Sequence, residues 1–148
     1  MFDTILTAAS IFVAVIAFLW GVIWGVKSYR DQMNAQLFLE FTKRFEEVMQ
    51  SFPKSAWSAR LNIEGKPPAK SKALSLSVLR YLNLCSEEYY LYKKGWLHRE
   101  IWKIWESELI RTLQTPLFIR EWKTLAGEFE SYPKFKEYVD NAQKALES

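Results

Sequence analysis

Cysteine and histidine are almost missing from this chain of 148 residues, which has one of each, Cys85 and His98. A single cysteine excludes a disulfide scaffold. One imidazole and one thiol leave a zinc site to be filled mostly by carboxylates, and the two Glu-x-x-His motifs of a carboxylate-bridged di-iron centre are absent. Glycine is scarce too, with five residues, and none belongs to a phosphate-binding loop, a Gly-x-Ser-x-Gly elbow or a Walker motif. No stretch alternates apolar and polar residues with period two, so no strand is expected. The charge is modest, 25% of residues and +3 net, and no RNA- or DNA-binding module is recognisable. The expectation is therefore a chain that is not an enzyme, carries no cofactor and no metal, and binds no nucleic acid.

What is present is unevenly spread. Residues 5–26 include 18 apolar side chains and no charge, interrupted only by Thr7, Ser10, Gly21 and Gly25. At 1.5 Å per residue such a helix reaches about 33 Å, against the ~30 Å of a hydrocarbon core, so the segment is expected to span a membrane once. A cleaved signal peptide wants a basic start, a shorter apolar core and a small-x-small cleavage site, whereas here Phe2 and Asp3 precede the segment and Lys27, Ser28, Tyr29 and Arg30 follow it. Lys27 and Arg30 at the exit, with no basic residue before the span, predict the N-terminus outside and the remainder in the cytoplasm of the cell inner (plasma) membrane. Trp20, Trp24 and Tyr29 gather at the same end, where amphipathic rings settle at headgroup level.

Small residues line one face of this segment. Ser10, Ala14, Ala17, Gly21 and Gly25 follow one another at spacings of 4, 3, 4 and 4, and the last two frame a GxxxG, which allows close backbone approach in lipid. The stripe is expected to pack on another helix, from a membrane protein complex or a second copy of the chain.

The rest of the sequence reads as all-α: the transmembrane helix continues into a small cytoplasmic bundle of about four to five helices. The division is a transmembrane anchor at 1–27, a juxtamembrane helix at 28–53, a basic connector at 54–72, and a helical domain at 73–148 packed on the juxtamembrane helix. No Gly or Pro interrupts the chain between Gly25 and Pro53, so one helix of roughly 49 residues, some 70 Å long, is expected to run to about Phe52. Phe38, Phe41, Phe45, Val48 and Phe52 recur on it at 3, 4, 3, 4, with Asn34 before them. That spacing suits a coiled-coil seam, but two heptads are short for one, and Leu37 and Met49 widen the stripe toward a core-facing helix.

The connector holds Lys54, Arg60, Lys66, Lys70 and Lys72 against Glu64 alone, with a short helix expected around Ala56 to Leu61. Its +4 equals the whole excess of residues 27–148, 20 basic less 16 acidic. Lys66, Lys70 and Lys72 are the residues expected to meet anionic headgroups or an acidic partner, the alternative being a solvated loop.

A central helix is expected from Ser71 to Lys94, stopped by Gly95, then helices from Arg99 to Leu113, from Pro116 with Thr115 as cap, and from Ser131 with Phe135, Tyr138, Val139, Ala142 and Leu146 inward. Of the polar residues on the central helix, Arg80, Asn83, Glu87 and Glu88, a buried carboxylate would suit acid chemistry, but an ion pair or a solvated face is the commoner role. His98 reads as a surface or capping residue and Cys85 as a small core residue. The 20 aromatic residues outside the span read as filling for a small core.

The run Leu79-Arg80-Tyr81-Leu82-Asn83-Leu84-Cys85-Ser86-Glu87-Glu88-Tyr89-Tyr90-Leu91-Tyr92-Lys93-Lys94-Gly95, with Ile101-Trp102-Lys103-Ile104-Trp105 and Phe118-Ile119-Arg120-Glu121-Trp122, resembles an uncharacterised group of small bacterial single-pass membrane proteins with an all-helical cytoplasmic domain. The likeness covers about residues 34–140 and implies fold and topology, with no activity attached. The reading of function is a membrane-anchored helical interaction protein, an accessory or regulatory subunit of a membrane protein assembly. The alternative is a membrane-associated effector or enzyme with an unrecognised helical site.

Overall fold

The computed structural model describes residues 2–145; Leu146, expected on the inner face of the last helix, lies outside them. The described residues are all-α with no strand. The helices are α1 (Phe2–Gln50), α2 (Lys54–Trp57), α3 (Lys72–Lys93), α4 (Arg99–Leu113), α5 (Pro116–Leu125) and α6 (Pro133–Lys144), with a 3-10 turn, Ala126–Phe129, after α5. The chain divides into two compact units, 1–37 and 38–148.

The first unit is helical throughout its described residues. One stretch of α1 is long and apolar enough to cross a membrane; its most apolar part has a mean hydropathy of 2.3 and none of it is buried. Phe18, Trp20 and Trp24 are 70%, 66% and 64% exposed. Two polar side chains in and after this stretch donate to carbonyls of their own helix. The Ser10 hydroxyl donates to the Thr7 carbonyl (2.8 Å) and the Asn34 amide to the Arg30 carbonyl (2.9 Å), a local satisfaction open to short polar side chains.

The second unit is organised around α3. Leu74, Val78, Tyr81, Leu82, Leu84, Cys85 and Tyr89 are buried along it, covering more than one face, as its nearly all-round apolar pattern requires. Helices α4 and α5 pack on it, and α6 packs on α4. From the start of the unit, Phe41, Met49 and Phe52 are buried, and Met49 and Phe52 join the same core, with Phe45 and Val48 against it. The Phe38 to Phe52 stripe therefore packs within this unit: Phe38 stacks on Trp105 at 6.0 Å and Phe45 meets Tyr81 edge-on at 6.3 Å.

Local chemistry sets the helix ends. Ser71 caps α3 by accepting from the Leu74 amide (3.1 Å), and Thr115 caps α5 by accepting from the Phe118 amide (3.4 Å), with Pro116 in the first turn. Gly95, at φ 72°, ends α3. The Trp96 amide reaches the Leu91 carbonyl (3.0 Å) and the Gly95 amide the Tyr92 carbonyl (2.9 Å), the paired bonds of a Schellman stop, which needs a left-handed residue where glycine alone has no Cβ to clash.

Three ends differ from the sequence reading. Helix α1 closes at Gln50, and Ser51 and Phe52 turn through bonds to Val48 and Met49 (3.0 and 3.2 Å), because the ring of Pro53 disfavours helical geometry in the residue before it. Helix α2 is one short turn, Lys54–Trp57, ahead of the expected position. Pro133, not Ser131, opens α6, since residues 126–129 tighten into the 3-10 turn that delivers Phe129 to the core.

Candidate functional site

The small residues singled out on α1 lie on an open surface. Ser10, Ala14, Ala17, Gly21 and Gly25 are all exposed, and a methyl group added at Gly21 or Gly25 would meet nothing within 4 Å. A Cβ at either glycine is therefore compatible with the fold of the chain itself.

The basic connector proves less uniform than its composition. Arg60 is withdrawn from it: the side chain is buried, pairs with Glu108 at 2.9 Å and lies over the Phe45 ring at 5.8 Å. The connector is further held by Arg120, which donates to the Pro68 carbonyl at 2.5 Å. Lys66, Lys70 and Lys72 remain on the surface with Lys54, so the outward charge is that of four lysines against Glu64.

The four polar residues of α3 part company. Arg80 and Asn83 are exposed. Glu87 takes a two-pronged ion pair from Arg44, at 2.6 and 2.9 Å, the strong geometry for a guanidinium and a carboxylate. Glu88 alone turns inward and is 7% exposed. Together with Glu108 it supplies the acidic side chains of a cavity of about 220 Å³ whose other walls include Phe38, Phe41, Phe45, Tyr81, Cys85 and Trp105.

Electrostatics mark Glu88 as the unusual group. Burial pushes its carboxyl from the ordinary 4.5 up to about 8; Arg44 opposes this, while Glu108 and Glu87 reinforce it. No hydrogen bond to its carboxylate occurs among the described residues, its oxygens keep some contact with solvent, and the cation that acts on it, Arg44, is committed to Glu87. Burial likewise raises the Cys85 thiol and the Tyr81 hydroxyl well above their usual values, so both are neutral at physiological pH, and Cys85 is a poor nucleophile. His98 stands at the N-cap of α4 without a side-chain capping bond.

Two further polar side chains, Glu121 and Trp122, are engaged in structure. Glu121, 1% exposed, accepts from Arg120 Nε and Nη2 (3.0 and 2.7 Å) and from the Ser75 hydroxyl (2.6 Å). The Trp122 indole donates to Asp140 at 2.7 Å. Sequence reading passed over Glu121 and the Arg60–Glu108 pair, since neither spacing nor type separates them from the surface charges around them. Among the described residues no three His, Cys, Asp or Glu side chains gather as a metal site would require.

Compared with protein-family models, with curated proteins and with solved structures, the chain matches none.

Proposed function

We propose that the protein is a membrane-anchored helical interaction protein, an accessory or regulatory subunit of a membrane assembly, and not an enzyme. One observation carries this reading: an unburied apolar helix stretch with a mean hydropathy of 2.3 belongs to a chain that also builds a helical core in its second unit. Contiguous apolar surface on that scale is not left in water without a lipid or protein partner. The small-residue face is then the contact surface within the bilayer, where close packing drives helix association.

The test is purification of the full chain from membranes in mild detergent. A membrane protein, or a second copy, is expected to co-purify stoichiometrically. Gly21→Ile and Gly25→Ile preserve hydrophobicity, and their Cβ atoms meet nothing within 4 Å, so they are expected to lose that partner while Val22→Ile keeps it. Equal behaviour of the three variants removes the stripe from the reading. A lone chain that makes membranes permeable supports the effector instead.

In this reading the C-terminal part faces the cytoplasm, with Lys27 and Arg30 retained on that side. A cysteine placed at position 2 is expected to react with an impermeant thiol reagent in intact cells, and one at position 148 is not; the reverse pattern overturns the orientation. The exposed lysines of the connector meet anionic headgroups, each basic residue contributing about 1 kcal/mol near such a surface. In liposomes containing anionic lipid, Lys66, Lys70 and Lys72 are expected to acetylate more slowly than in zwitterionic ones, while exposed Lys123 and Lys134 are unchanged. Equal rates in both lipids return the connector to a solvated loop.

The resemblance to small bacterial single-pass proteins belongs to the same proposal, with its expected shared features, a span and a helical domain, resting on the aromatic-rich runs of α3, α4 and α5.

A further inference from the structure

The cavity beside Glu88 has a composition that a packed core does not explain. A carboxyl group that is 7% exposed normally has a hydrogen-bond donor or a cation, and here the nearest cation is held in two-pronged fashion by Glu87. The second carboxylate at the cavity, Glu108, has one oxygen engaged by Arg60 at 2.9 Å. Among the described residues no Lys, Arg or His side chain lines the space. Its walls are aromatic: Phe41 and Trp105 lie 5.5 Å apart, Phe38 stacks on Trp105, and Phe45 meets Tyr81. The mouth is apolar, with Ile104 64% and Phe38 37% exposed.

We propose that this cavity binds a small organic cation of the alkylammonium class, with Glu88 as its counter-ion and the rings of Phe41, Phe45, Tyr81 and Trp105 as its walls. The chemistry selects this class. An anion would face two carboxylates without a cationic side chain. A metal ion would find two carboxylates where several oxygen ligands are needed. A neutral apolar guest would leave the Glu88 carboxylate, once ionised, without a charge partner. An ammonium group satisfies both features, because aromatic faces attract cations within about 6 Å, and most strongly when water is excluded. The volume, about 220 Å³, lies below the ~300–1,000 Å³ of sites for drug-sized ligands, so the guest is small. The site goes beyond the membrane reading and stands whether or not α1 crosses a bilayer.

Binding of a cation requires Glu88 to be ionised. The groups facing it are Arg44 and Glu87, which neutralise one another, Glu108, which is paired with Arg60, and Cys85 and Tyr81, which are neutral. With the carboxyl at about 8, the competent fraction, and with it the apparent affinity, rises about thirtyfold between roughly pH 6.5 and pH 9. The probe is tetramethylammonium, whose charge does not titrate, with tert-butanol as neutral counterpart, added to the full chain in neutral detergent and followed by ligand-observed NMR. Saturable binding of the cation that tightens with pH and is absent in Glu88→Gln is the expected result. Trp105→Leu is expected to weaken binding severalfold at both pH values while the pH slope remains. Near-UV circular dichroism checks that each variant is folded. Equal binding by Glu88→Gln, equal binding of tert-butanol, unchanged affinity in Trp105→Leu, or no saturable binding at about pH 9 overturns the proposal.

Discussion

Truncation of Trp102 to alanine is expected to destabilise the second unit by about 3–5 kcal/mol, the usual cost of emptying a large aromatic site in a core. Trp102 is 1% exposed and stacks face to face on Tyr92 at 4.9 Å, with Tyr89 at 5.8 Å and Tyr138 at 6.2 Å. Those rings come from α3, α4 and α6, so the cavity left behind would lie between helices that meet there and nowhere collapse easily. Such a loss is a large part of the roughly 5–15 kcal/mol that holds a domain folded. Trp96 is the control: it is 52% exposed, meets Tyr90 edge-on at 6.2 Å, and its replacement by alanine is expected to cost under about 1 kcal/mol. Urea denaturation of the full chain in neutral detergent, followed by circular dichroism, measures both. Similar midpoints for the two variants would mean that the aromatic cluster fills space without holding the helices together.

The elements that were legible in the sequence are those whose punctuation is local. Ser71, Gly95, Thr115 with Pro116, and Pro53 each act through their own backbone or hydroxyl within a few residues, so a linear reading finds them. The start of α6 lies at Pro133 and not at Ser131, and only the 3-10 turn that buries Phe129 decides between the two. Arg60 shows the limit of counting charge. Composition assigns it to an exposed basic loop, yet its partner Glu108 lies 48 positions away, and no spacing rule reaches across such a distance. Glu88 was half legible. It follows Tyr81 and Cys85 at intervals of 4 and 3, the buried face of α3, and that register was the available signal. The sequence does not say that Arg44 would be spent on Glu87 next to it, and that pairing leaves the buried carboxyl alone.

The same carboxyl makes stability fall as pH rises, and replacing it should abolish much of that fall. In the folded protein Glu88 holds its proton up to about pH 8, whereas its ordinary value is 4.5. A group that binds its proton more tightly when folded contributes its stability in full below the unfolded value, and loses it as pH climbs through the folded one. Each tenfold gain in proton affinity corresponds to about 1.4 kcal/mol, so the loss between about pH 4.5 and pH 8 is at most roughly 4–5 kcal/mol. Cys85 and Tyr81 are also raised, but they ionise at higher pH and steepen the decline only in more alkaline solution. Glutamine matches the neutral carboxyl in size and cannot ionise. Glu88→Gln is therefore expected to be close to the native chain in stability near pH 5, and more stable by a few kcal/mol near pH 9. Denaturation midpoints at about pH 5, 7 and 9 decide the matter, and parallel pH profiles for the two proteins would show that Glu88 reaches water when it ionises. A saturating organic cation should flatten the native profile in the same way, since a counter-ion stabilises the charged form that burial opposes, and it should leave the Glu88→Gln profile where it was.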